Sequence, residues 1–286
     1  MKTVQKFLIS ASAIISTSLL AVAPAFAASL TNIQFNTNDF RTYFTDSWSD
    51  GNGTDAVSAL TDGSAITNVE LGFSTENQVA NVGFTATLGV HSVAVETVTA
   101  ADWQNGLATQ WIADFQAAYP ALFAATLPGV GSLGQAIAAE VMAGPSRAGD
   151  PNIGSFNQND ETGLITLQMI GHYDVLNAPW LQTGPYATMV PMIRNLLLGE
   201  PLQISEVAKV TIDGQVHYAY SFQAAQTGWL APDAAANDTS SGTGIYSWYI
   251  QGSLEPTPET ESVPEPSLML GLVAVGGLVA ATRRKH

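Results

Sequence analysis

Two stretches of this 286-residue chain concentrate hard oxygen donors. The first runs Asp46-Ser-Trp-Ser-Asp50-Gly-Asn-Gly-Thr-Asp55, with Asp62 beyond it; the second holds Asp150, Asn157, Asn159, Asp160 and Glu161. Carboxylates and amide carbonyls at that density are what Ca2+ takes, and the same groups suit the hydroxyls of a saccharide. The EF-hand spacing fails in the first stretch. Counted from Asp50, the sixth position is Asp55 where glycine is needed, and the twelfth is Thr61 where glutamate is needed. Asn, Asp and Gly in such numbers also describe an ordinary exposed loop in the first stretch and turns at Asp150-Pro151-Asn152 and Asn157 to Gly163 in the second, because Asn and Asp bond their own backbone and Gly admits positive φ. Ca2+ therefore stays open as a cofactor, and no metal site is assigned.

Other patterns approach catalysis and fall short. His91, His172 and His217 lie in expected strands and would bind metal together only if those strands were neighbours. Gly144-Pro-Ser146-Arg-Ala148 nears a nucleophile elbow, yet alanine replaces the last glycine and a helix is expected where a strand is required. Gly129-Val-Gly131-Ser-Leu-Gly134 has dinucleotide spacing but follows a helix, so it reads as a loop leading into a helix capped by Ser132. The many carboxylates offer no pair that spacing alone selects for glycoside hydrolysis. Cysteine is absent, which removes thiol nucleophiles, iron–sulfur sites, cysteine-ligated zinc and any disulfide framework. No catalytic residue is assigned.

The elements that would position these groups are readable in outline. Strands are expected near 31–36, 66–74, 79–98, 163–173, 204–212, 215–223 and 244–252, and helices near 100–119, 121–127, 132–143 and 185–198. Asp213-Gly214 between two alternating apolar runs signals a type I′ hairpin, placing Val216, Tyr218, Tyr220 and Phe222 on one face. Thr99 is a plausible N-cap and Pro120 a stop for the helix at 100–119. Trp103, Leu107, Trp111, Phe115 and Tyr119 recur at helical spacing and form a stripe for burial, in preference to an exposed row for stacking on sugars. The expected class is α+β: one exported domain, mainly antiparallel sheet with a helical insertion between residues 99 and 146, plus one short C-terminal membrane helix.

Charge narrows the partners. Against its many Asp and Glu, the body from 28 to 254 sets only Arg41, Arg147, Arg194 and Lys209, and the whole chain carries −15. Such a field excludes nucleic acid and repels anionic lipid, while tolerating divalent cations and neutral polysaccharide.

Both ends carry targeting chemistry. Lys2 and Lys6 precede an apolar run from Phe7 to about residue 22, and Ala25-Phe26-Ala27 supplies the small-x-small pattern cut by signal peptidase, expected after Ala27. At the other end, Glu255 to Ser262 is a Pro-, Glu- and Thr-rich spacer. Val263-Pro264-Glu265-Pro266-Ser267 follows, then an apolar run from Leu268 to Thr282, then Arg283-Arg284-Lys285-His286. At 1.5 Å per residue the run would span roughly 22 Å of a hydrocarbon core about 30 Å thick, a short anchor whose basic end stays cytoplasmic.

Motif, apolar run and basic cluster together resemble the PEP-CTERM sorting tail. That resemblance implies recognition by an exosortase at Pro264, Glu265 and Pro266, membrane retention by residues 268–282, and orientation by Arg283, Arg284 and Lys285. The stretch from Arg147 to Asp174 is similar to one in a cyanobacterial PEP-CTERM group and supplies no catalytic residues to carry over. The expected domains are a signal peptide (1–27), a globular extracytoplasmic domain (28–254), a linker (255–262) and the sorting tail (263–286). The function expected is that of a non-enzymatic protein, anchored in the inner membrane as a precursor and then delivered to the cell surface or an extracellular polysaccharide matrix. The alternatives are a carbohydrate-binding module, calcium-assisted or not, and a secreted hydrolase. Exposure of Trp48, Trp180, Trp229 or Trp248 on one surface would favour the first alternative.

Overall fold

Alternating apolar residues along short runs, each bounded by Gly, Asn or Asp, make antiparallel strands the dominant element of this chain. The computed structural model describes residues 27–250 apart from 46, 65, 75–78, 128–130, 144–148, 178–180, 183–186 and 228–242, and its class is α+β. Twelve strands join in one sheet among the described residues. They are β1 (Ala27–Phe35), β2 (Phe40–Tyr43), β3 (Trp48–Asp50), β4 (Asn68–Leu71), β5 (Gly83–Leu88), β6 (His91–Glu96), β9 (Asn152–Asn159), β10 (Ile165–Gly171), β11 (Ala208–Ile212), β12 (Gln215–Ala219), β13 (Ala224–Gln226) and β14 (Gly244–Ile250). A separate pair, β7 (Thr126–Leu127) and β8 (Gly131–Ser132), closes a loop between helices.

The main path runs β12-β11-β6-β5-β1-β9-β10-β14-β13, with β4 on β9, β2 on β4 and β3 on β2. In β1 the register slips between Thr31 and Gln34, where Asn32 has φ +54, so one strand serves both halves of the sheet. The inward residues of the two halves meet in one core: Phe84, Leu88, Val95 and Val210 from one side, Phe156, Leu167 and Met169 from the other. The Trp248 ring of β14 lies 6.0 Å from His217 of β12, so strands near opposite ends of the order come into contact.

A second core is helical. Thr99 caps α2 (Ala100–Asp102) in a reciprocal capping box with Asp102. A five-residue π segment, Trp103–Leu107, leads into α3 (Ala108–Ala118), then α4 (Pro120–Ala124), α5 (Leu133–Ala143) and α6 (Val190–Leu196). The single helix expected over 100–119 is thus broken, with Asn105 and Gly106 leaving helical geometry. The aromatic stripe survives the break because the extra residue is absorbed there. Trp111 and Phe115 are fully buried, and Trp103 and Leu107 nearly so. Tyr218, Tyr220 and Phe222 pack on this core while Val210 and Ala219 of the same hairpin enter the sheet core.

The hairpin turns at Asp213 (φ +48) and Gly214 (φ +81), the two positive values a type I′ turn demands. The strand expected over 79–98 is the β5–β6 hairpin. Other elements differ from the sequence reading. Residues 53–61 form α1 (Gly53–Thr61), capped by Asn52 and burying Ala56, Ala59 and Leu60, where a loop was expected. The turn expected around Asn152 and from Asn157 is instead β9, with Ile153 and Phe156 buried and Gln158 fully enclosed. Only Asn159–Leu164 remains a turn. Among the described residues no helix is long and apolar enough to cross a membrane, and the membrane helix expected over 268–282 lies outside them.

Trp111 touches Trp103, Phe115 and Phe222 at ring-centroid distances of 6.3, 5.0 and 5.3 Å. Trp111→Ala should therefore cost about 4 kcal/mol of unfolding free energy, read as a lower denaturant midpoint.

Candidate functional site

Of the tryptophans singled out above, Trp48 is the exposed one among the described residues, at 47%. It sits on β3 opposite Tyr43 of β2, while Arg41 is flanked by Asp50 on β3 and Glu70 on β4. Arg41 donates two parallel bonds to Asp50, Nε to Oδ1 at 2.6 Å and Nη2 to Oδ2 at 3.0 Å. Its guanidinium carbon lies 5.7 Å from the Trp48 ring centroid and 4.6 Å from that of Phe73. Beneath, the buried Tyr43 hydroxyl donates to Glu70 Oε2 at 2.5 Å. The Arg41 bond holds the Asp50 carboxyl below the usual range; burial, then the Glu70 charge, raises the Tyr43 phenol.

The result is an indole, a guanidinium and a carboxylate gathered at the surface, with Trp48 and the Asp50 side chain each about half exposed. It can bury the C–H face of a sugar ring on Trp48 while Asp50 accepts hydroxyl hydrogen bonds. The sequence reading named Trp48 and Asp50 and missed Arg41 and Phe73. A separate open groove of about 550 Å3 is lined by Phe35, Phe40, Thr54 and Val57.

A second polar cluster is closed. Asp102, 8% exposed, accepts from the Thr99 amide and hydroxyl, both at 2.8 Å, from Asn81 Nδ2 at 3.1 Å and from the Tyr218 hydroxyl at 3.1 Å. Lys209, the only lysine between Ala27 and Ile250, adds an ion pair at 3.1 Å. Burial alone would raise this carboxyl, but the bonds from Thr99, Asn81 and Lys209 pull it down to about 2. Every acceptor position is used, so the cluster fastens α2 to β11 and β12.

The candidate calcium carboxylates are likewise engaged: Asp50 with Arg41, Asp55 with Asn52 Nδ2, and Asp62 with the Ser64 amide and the Thr67 hydroxyl. Asp46 lies outside the described residues. In the second stretch Asn157 is within β9, Asn159 Oδ1 caps its own turn, Asp160 reaches β1, and Glu161 is exposed, while Asp150 precedes the strand. The histidines are not brought together. His91 Nδ1 donates to Asp213 at 2.7 Å, holding that carboxyl below its usual range, and its Nε2 is buried without a partner. The His217 ring lies tilted beside Trp248, where burial lowers its pKa, and His172 follows β10 with its carbonyl accepting from the Tyr246 hydroxyl. Among the described residues no three His, Asp or Glu side chains gather as a metal site would require.

Ser132 does cap α5, its Oγ accepting from the Gln135 amide, and a Cβ at Gly134 would fall 2.4 Å from the Phe123 ring; that glycine serves helix packing. Gly129, the Gly144–Ala148 stretch, Trp180 and Trp229 lie outside the described residues, as do Ala25, Val263–Ser267, Arg283, Arg284 and Lys285. Ala27 opens β1, and Trp248 is half-buried against the sheet core. Comparison of the chain with protein-family models, curated proteins and solved structures returns no match.

Asp102→Asn should lower stability at pH 7 by about 3 kcal/mol, because it strands the Lys209 charge in a closed site. In the unaltered protein the carboxylate's contribution is full above an unfolded pKa of about 4 and is lost as pH falls toward 2. Urea midpoints across that range should show a loss that the variant lacks.

Proposed function

We propose that this chain is an exported, non-enzymatic protein of the cell surface or extracellular matrix. In this reading signal peptidase removes its leader and an exosortase its C-terminal tail. The order of segments along the chain carries the reading: leader, domain, spacer, Val263–Ser267, apolar run, basic cluster. One structural fact agrees with it. The carboxylates nearest to any chemistry, Asp50, Asp102 and Asp213, are each held by an internal partner.

The Trp48 platform favours a second reading, in which the domain also holds a neutral polysaccharide. An acidic surface does not repel an uncharged polymer, and the platform offers one apolar face beside one acceptor. Bound Ca2+ is not needed for that contact.

The mass of the mature protein tests the first reading. A native chain ending near Val263, together with a Pro264→Ala, Glu265→Ala, Pro266→Ala variant that keeps its tail in the membrane, is the expected outcome. A native chain that retains Arg283 to His286 overturns it. For the second reading, Trp48→Ala should weaken retention on a neutral polysaccharide column about tenfold, and unchanged retention removes the platform from binding.

A further inference from the structure

The amide of Ala28 donates to Asp160 Oδ1 at 3.2 Å, across 132 residues of sequence. Ala28 is the residue that cleavage after Ala27 would leave at the N-terminus. Hydrolysis of the Ala27–Ala28 bond consumes one water: the carboxylate departs with Ala27, and the nitrogen that goes on to dock at Asp160 becomes an ammonium. We propose that Asp160 is the receptor for the N-terminal ammonium of the processed chain, so that maturation itself supplies an ion pair that the precursor lacks. The proposal rests on leader removal as read above.

The surroundings suit that role. Asp160 sits on the turn between β9 and β10, yet the turn is organised by Asn159, whose Oδ1 accepts from the Glu161 amide, the Thr162 amide and the Thr162 hydroxyl. The Asp160 carboxylate is therefore released from local duty and reaches the neighbouring strand. No cationic side chain among the described residues pairs with it. In a chain so poor in Lys and Arg, a terminal ammonium is a valuable cation. Ala27 faces Asn159 and Ala28 faces Gln158, so the new terminus falls at the outer end of a paired strand with its position already set by the ladder.

The same placement orders events. Ala27–Ala28 lies within a strand hydrogen-bonded to β9, and a protease requires an extended, unpaired substrate. Cleavage must precede the docking of β1. A leader left attached would leave Asp160 with a neutral amide donor.

An opposite charge at hydrogen-bond distance raises an α-amino pKa from its ordinary 7.7–8.0. The other titratable groups at this end are Glu161 on the same turn and the His91–Asp213 pair, placed there because Leu30 pairs with Leu88 and Leu88 with His91. Glu161 acts in the same direction as Asp160. Stability from the pair is full below the ordinary amine pKa and is lost as pH rises through the raised one.

The test uses mature protein purified from its cells. N-terminal sequencing comes first, then the pKa of the α-amine by pH-dependent reductive methylation. Expected are Ala28 at the N-terminus and a pKa about one unit above ordinary, giving about tenfold less free amine at pH 7. Asp160→Asn should return the pKa to the ordinary range, as should a chain with one serine inserted between Ala27 and Ala28. An N-terminus other than Ala28 overturns the cleavage reading and the proposal with it. An Ala28 terminus with an ordinary pKa, or a raised one that Asp160→Asn leaves unchanged, overturns the proposal alone.

Discussion

The buried Asp102 carboxylate is where the helical layer and the sheet are joined. It receives donors from the cap of α2, from the loop before β5 and from both strands of the β11–β12 hairpin. Two further tyrosines repeat the connection along the same seam: Tyr220 donates to Asp114 of α3 at 2.6 Å, and Tyr119 donates to the carbonyls of Gln203 and Phe222. Burial pushes the Tyr119 and Tyr218 phenols up to about 12, so these hydroxyls remain donors throughout the physiological range. Directional bonds of this kind add less net stability than apolar burial but permit only one orientation of the layers. The apolar contacts around Trp111 would tolerate some sliding; the Asp102 donors would not.

Much of this was legible in the sequence because local signals and tertiary demands agreed. Thr99 as a cap with Pro120 as a stop, Asp213-Gly214 between alternating runs, and apolar residues at four-residue spacing each specify geometry within one helix or one hairpin. Elements whose stability comes from elsewhere were hidden. β9 carries Asn, Gly, Ser and Gln, poor strand formers, and is held as a strand by β10 on one edge and by β1 and β4 on the other. α1 starts with Gly-Thr-Asp behind an Asn, which reads as loop until its Ala56, Ala59 and Leu60 face meets the sheet.

The candidate platform illustrates the same limit. Trp48 and Asp50 were visible as residue types, but nothing local brings Arg41 or Phe73 to them. Pairing of β2 with both β3 and β4 does so, setting a guanidinium between two acidic neighbours and against two aromatic rings. The break at Asn105 and Gly106 was hidden for the opposite reason, since the aromatic spacing runs through it undisturbed and only backbone geometry records it.

The first strand of the domain is also one of its most central, lying between β5 and β9. A chain synthesised from its N-terminus presents β1 early, while the partner on its second edge is 132 residues away. Until that partner arrives, Ala27 to Phe35 has an unpaired edge, and closing so long a loop is slow relative to local hairpins such as β5–β6. Assembly of this fold is thus gated by the arrival of its middle, and the interval before β9 pairs is when the chain is most open to aggregation with its own copies.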